Sequence, residues 1–129
     1  MATIQKQWAS IAWVEGASDA WTTLSSTTEE YSSSIDLSDG DEGAHIVVEV
    51  NFDTTPTDNV IASVYGSLDG TAWDDIPLFT LEVPNTQDPA QFSFIVTGVA
   101  YCRIGFKQTG STNTHDVRAS VRTWKWESV

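Results

Sequence analysis

The sequence predicts an all-β fold: an antiparallel β-sandwich, of jelly-roll type, with about eight strands. Apolar residues alternate with period two in several separate runs. Nowhere do they recur at i, i+3, i+4 and i+7 through three turns, as an amphipathic helix requires. Asp-Gly, Thr-Gly and proline-bearing segments punctuate the runs at regular spacing, with no helical crossover between them.

Each strand follows from its pattern. In "AHIVVEVNF", Ile46, Val48, Val50 and Phe52 share one face, while Val47, Glu49 and Asn51 share the other. "NVIASVYGSL" is apolar on both faces, which predicts a central strand. "QFSFIVTG" sets Phe92, Phe94 and Val96 against Ser93, Ile95 and Thr97. "VAYCRIGFKQ" sets Ala100, Cys102, Ile104 and Phe106 against Val99, Tyr101, Arg103 and Lys107. "HDVRASVRTWKWES" places Val117, Ala119, Val121 and Thr123 on one face and Arg118, Ser120, Arg122, Trp124 and Trp126 on the other. Its two tryptophans thus side with the arginines, so either a bulge turns them inward or the strand carries a cationic, aromatic surface. Weaker strands are expected at Ser10 to Val14, Ala20 to Leu24, Tyr31 to Leu37 and Ile76 to Val83, where Pro77 marks an edge or a strand start. Asp69-Gly70 reads as a tight hairpin turn between "VYGSL" and "TAW", because glycine takes positive φ without steric cost.

At 129 residues the chain fits a single domain, residues 1–129, with residues 1–7 as an N-terminal arm. Its one cysteine, Cys102, excludes an internal disulfide framework and reads as a small buried hydrophobe. No apolar run approaches the ~20 residues of a membrane span, and the first residues lack a signal-peptide pattern, so a soluble protein made in a cytoplasm, with no membrane partner, is expected. The net charge is -12. It divides unevenly, with sixteen acids and one base up to Ala90, then two acids and five bases from Gln91 onward. Phosphate neutralisation needs clustered cations, so nucleic acid is not an expected partner. The uneven division suggests either simple solubility or a dipolar molecule that docks in one orientation.

No catalytic chemistry assembles from the sequence. His45 and His115 lie outside any metal-ligand spacing, and no nucleophile-elbow sequence is present. The acidic turn "DLSDGDEG", Asp36 to Gly43, does not match a calcium-binding EF-hand loop and reads as a solvated turn. Adjacent Asp74 and Asp75 would point to opposite faces of a strand and so do not form an acid and base pair. The expectation is a non-enzymatic protein with no catalytic residues, metal or cofactor.

"YGSLDGTAWDDIPL", Tyr65 to Leu78, resembles the strand, Asp-Gly turn and Trp strand of discoidin-like jelly rolls, and more closely the hairpins of small virion proteins of tailed bacteriophages. "FSFIVTGVAYCRIGFKQTGSTNTHDVRASVRTWKW" is similar to the closing strands of such phage proteins. The resemblance covers the C-terminal half. It implies a capsid decoration (cement) or tail-associated subunit, typically a homotrimer that binds the major capsid protein on the virion surface after assembly in the host cytoplasm. On that reading Arg118, Arg122, Trp124 and Trp126, joined by Arg103 and Lys107 if their strands pair, form the docking or oligomer face, as Trp and Arg dominate interface hot spots. The alternatives are a carbohydrate-binding module, whose exposed tryptophans stack on sugars, and a tail or receptor-binding accessory subunit.

Overall fold

A computed structural model describes residues 4–8, 12–13 and 21–128. The described residues form eleven strand segments: β1 (Ile4–Trp8), β2 (Ala12–Trp13), β3 (Thr22–Leu24), β4 (Glu30–Tyr31), β5 (Ile35–Asp36), β6 (Gly43–Asn51), β7 (Val60–Ser67), β8 (Phe79–Val83), β9 (Ala90–Thr97), β10 (Tyr101–Gln108) and β11 (His115–Ser128). β1, β2 and β3 lie one after another along the same edge of β11, and β4 and β5 share an edge of β10. The segments therefore occupy eight rows. One sheet runs from the β1–β3 row through β11 and β6 to β9. The other runs from the β4–β5 row through β10 and β7 to β8. All pairings are antiparallel, and this order of rows is that of a jelly roll.

The alternation in the sequence becomes the inner faces of the two sheets. Ile46, Val48 and Val50 of β6 face Val60, Ala62 and Val64 of β7, and all six are fully buried. Val96, Cys102, Ile104, Val117 and Ala119 complete this layer. β7 lies between β10 and β8, as its two apolar faces predict. The weaker strands are shorter than their patterns suggest. Tyr31 to Leu37 breaks into β4 and β5 because Ser32 leaves the ladder: its backbone N donates to Ile104 O at 2.8 Å and its Oγ accepts from Ile104 N at 3.0 Å. Residues 9–11 and 14–20 lie outside the described residues, as do residues 1–3 of the expected arm, whereas Ile4–Trp8 pair with β11.

Gly70 has φ 77°, as the hairpin turn demands. The strand expected after it is not formed. Trp73 makes only an isolated bridge to Ser67, and β8 starts at Phe79. Asp69 accounts for this, since its Oδ1 accepts from the backbone N–H of Thr71 and Ala72 at 2.8 and 2.9 Å and curls the segment into a loop.

The opposite pole is closed by a polar plug. His115 is fully buried; its Nδ1 accepts from Asp53 N at 3.0 Å, so its Nε2 carries the proton and donates to Asp58 O at 2.9 Å. Asn113 Oδ1 accepts from Thr57 N and Asp58 N, both at 2.8 Å, and Gln108 Nε2 donates to Asn113 O at 2.8 Å. His115 is thus a structural histidine that ties the β6–β7 and β10–β11 loops together.

Candidate interaction surface

β11 contains no bulge over its pairing with β6, where the register runs unbroken from Asp116↔Asn51 to Trp124↔Gly43. Both tryptophans keep the outward direction that alternation gives them. Trp124 is nevertheless only 7% exposed, whereas Trp126 is 54% exposed. The difference lies in their cross-strand neighbours. Trp124 pairs with Gly43, and a Cβ there would meet the Trp124 ring at 2.7 Å, so the indole occupies the space a side chain at Gly43 would need. From the other side, Trp8 of β1 pairs with Trp124 and packs its ring at 5.1 Å between centroids. Trp126 lies beyond the end of β6, where only β1 flanks it.

Lys6, the register partner of Trp126, completes the cluster. Its Nζ is 4.6 Å from the Trp124 ring centroid, 5.1 Å from Trp8 and 5.9 Å from Trp126. An ammonium held over three indoles is a cation–π arrangement. Arg122 is exposed at the rim, with Cζ 5.9 Å from the Trp8 ring. Beside it a shallow cleft of about 200 Å³ is lined by His45, Val47, Ser120, Val121 and Arg122. His45 Nε2 lies 3.0 Å from Ser93 Oγ across β9.

The other residues singled out in the sequence lie elsewhere. Arg118, on the same face, is ion-paired with Glu49, its partner across β6, and lies 4.2 Å from the Trp21 ring. Arg103 and Lys107 do not join the patch. β10 and β11 belong to different sheets, and their outward residues face away from each other. The reason is topological: from β8 onward each strand crosses to the other sheet, so β10 and β11, neighbours along the chain, are not ladder neighbours. The sequence reading also missed Lys6 and Trp8. Their signal was the alternation "KQW", a counterpart to "WKW", but only the pairing of the two chain ends brings them together.

No protein-family model and no curated protein matches the chain. Among solved structures, it is similar to a protein described under "Bacillus endospore appendages form a novel family of disulfide-linked pili". The TM-score is 0.51 at 15% identity, covering 95% of this chain and 88% of that one. It is also similar to the Yersinia pseudotuberculosis-derived mitogen, with a TM-score of 0.44 at 10% identity, covering 95% and 86% of the two chains. At such identities the likeness to the pilus protein is one of fold, and what it establishes is the all-β sandwich over nearly the whole chain.

Proposed function

We propose that this chain is a non-enzymatic assembly protein of a virion, a capsid decoration subunit that docks on the major capsid protein. The observation that carries this reading is the Trp8–Trp124–Trp126 cluster around Lys6, with Arg122 at its rim. It is an outward aromatic and cationic surface on one sheet, of the composition that dominates protein interfaces. The resemblance of the C-terminal half to phage virion proteins supplies the virion. Trp126 and Trp8, 54% and 46% exposed, are the side chains available to a partner, while Trp124 forms their floor. Disulfide linkage, as described for those appendage pili, does not suit this chain. The chain's one cysteine, Cys102, is fully buried in β10, and burial pushes its thiol up to about 12.

The test is sedimentation with particles. Wild type expressed in the cells that carry its gene should band with an icosahedral particle on a density gradient, and Trp126→Ala and Arg122→Glu should remain at the top while keeping β-sheet circular dichroism. Particles that retain both variants at the wild-type level would overturn the proposal, as would a folded wild type that binds a neutral glycan and no particle. Free in solution the subunit is expected to be a homotrimer, which sedimentation equilibrium at micromolar concentration reads directly.

A further inference from the structure

The outer face of the second sheet, opposite the tryptophan cluster, gathers all three tyrosines of the chain, Tyr31, Tyr65 and Tyr101, around Arg103. Arg103 pairs with Tyr65 across β10 and β7. Its Cζ is 3.9 Å from the Tyr31 ring centroid and 4.5 Å from that of Trp73, which the Asp69-Gly70 loop delivers to this face. Two rings against the guanidinium fix its position and leave the Nη side of its in-plane, hydrogen-bonding edge as the route of approach, with Nε buried behind it.

That edge has no partner among the described residues. Nε is buried with no hydrogen bond, and no ion pair or hydrogen bond of the described residues involves Arg103. Three acids of the flanking segments, Glu29, Asp36 and Asp69, are engaged by hydrogen bonds of their own. Both Glu29 oxygens accept from Tyr65 Oη, at 2.8 and 3.0 Å. Asp36 Oδ1 accepts from Ser38 N at 2.8 Å and from Ser38 Oγ at 2.5 Å. Asp69 is taken up by its own turn. A planar fork of donors, clamped by aromatics and left without an acceptor, is complementary to a carboxylate.

We propose that Arg103, held between Tyr31 and Trp73, is a binding site for a monoanionic carboxylate. Charge selects the ligand. In a chain of net charge -12, with Glu29 over the neighbouring Gly105, a doubly charged oxyanion meets more repulsion than a single carboxylate does. The site is separate from the tryptophan cluster and stands or falls without it.

A titration followed by ¹⁵N NMR tests it on the intact chain. Acetate should shift the Arg103 Nε–H and Trp73 indole resonances saturably. Chloride at equal ionic strength should shift neither, and phosphate should bind more weakly than acetate. Arg103→Lys keeps the charge but loses the fork, and should bind at least tenfold more weakly. A blocked peptide with one glutamate that binds tenfold tighter than acetate assigns the carboxylate to an acidic side chain of a partner protein, and equal binding assigns it to a small molecule. Shifts reproduced by chloride, equal binding by Arg103→Lys, or no shift in wild type would overturn the proposal and make Arg103 a structural staple of the Trp73 loop.

Discussion

Gly43 decides what Trp124 can be. A methyl group at this position would lie 2.6 Å from the Val96 carbonyl oxygen as well as 2.7 Å from the indole, so neither backbone nor ring has room for it. Gly43→Ala is therefore expected to lift Trp124 off the sheet and to destabilise the fold by about 1–3 kcal/mol, as overpacking does. Trp124→Ala removes a buried indole and should cost roughly 3–5 kcal/mol. Trp126→Ala, at an exposed position, should stay within about 0.5 kcal/mol of wild type. Urea denaturation of the three variants checks these values, and equal losses for Trp124→Ala and Trp126→Ala would contradict the division of the pair into floor and contact. Alternation alone could not reveal this division. It correctly put both side chains on the outer face, but burial on that face depends on which residue lies opposite, and a glycine opposite one tryptophan is invisible until the register is known.

At the scale of elements, the Asp69-Gly70 loop is the part most exposed to a single change. Gly70 holds a positive φ, and a Cβ there would come within 3.2 Å of the Tyr101 ring. Gly70→Val should cost more than about 1 kcal/mol through backbone strain and release Trp73 from Arg103. A lower melting temperature with loss of Trp73 near-ultraviolet dichroism would show both effects. Unchanged melting would remove the loop's role as the arm that carries Trp73. Strands β6, β7, β9, β10 and β11 were legible because each is long enough to alternate through several turns of burial. Segments β2 to β5 were expected only as weaker strands with wider bounds, because two or three residues of ladder carry no period, and β1, five residues long, was expected as part of an arm; their places are set by long partners such as β10 and β11. The absence of a strand at Thr71 to Trp73 has a different cause, an aspartate whose side chain outcompetes the ladder for backbone N–H groups.

For the whole molecule, the division of charge along the sequence does not become a division in space. The cation-bearing second part of the chain supplies β10 and β11, and each is flanked by strands from the acidic first part, one in either sheet. The dipolar reading reduces to the local group of Lys6 and Arg122 on the tryptophan face. The acids instead tie turns. Hydrogen bonds hold Asp36, Asp53 and Asp69 below the ordinary 3.8, from Ser38 at Asp36, Thr54 and Thr114 at Asp53, and Ala72 and Thr71 at Asp69. Groups whose folded pKa is depressed contribute stability that is present above their ordinary value and lost as pH falls through the folded one. The melting temperature should therefore hold at about pH 5 and fall progressively below about pH 3.8, with a shallower fall in Asp69→Asn. A flat profile down to about pH 2 would contradict these turn bonds. The pairing of the chain ends has a mechanical consequence. Ile4 is matched with Ser128 and Trp8 with Trp124, so both ends of this ribbon leave at one pole. Tension applied through them loads the ladder one pair at a time, a peeling geometry that yields at far lower force than shearing strands along their length. The first segment to open under load is then the one that roofs Trp124, so a chain pulled by its ends loses its tryptophan cluster before its sandwich.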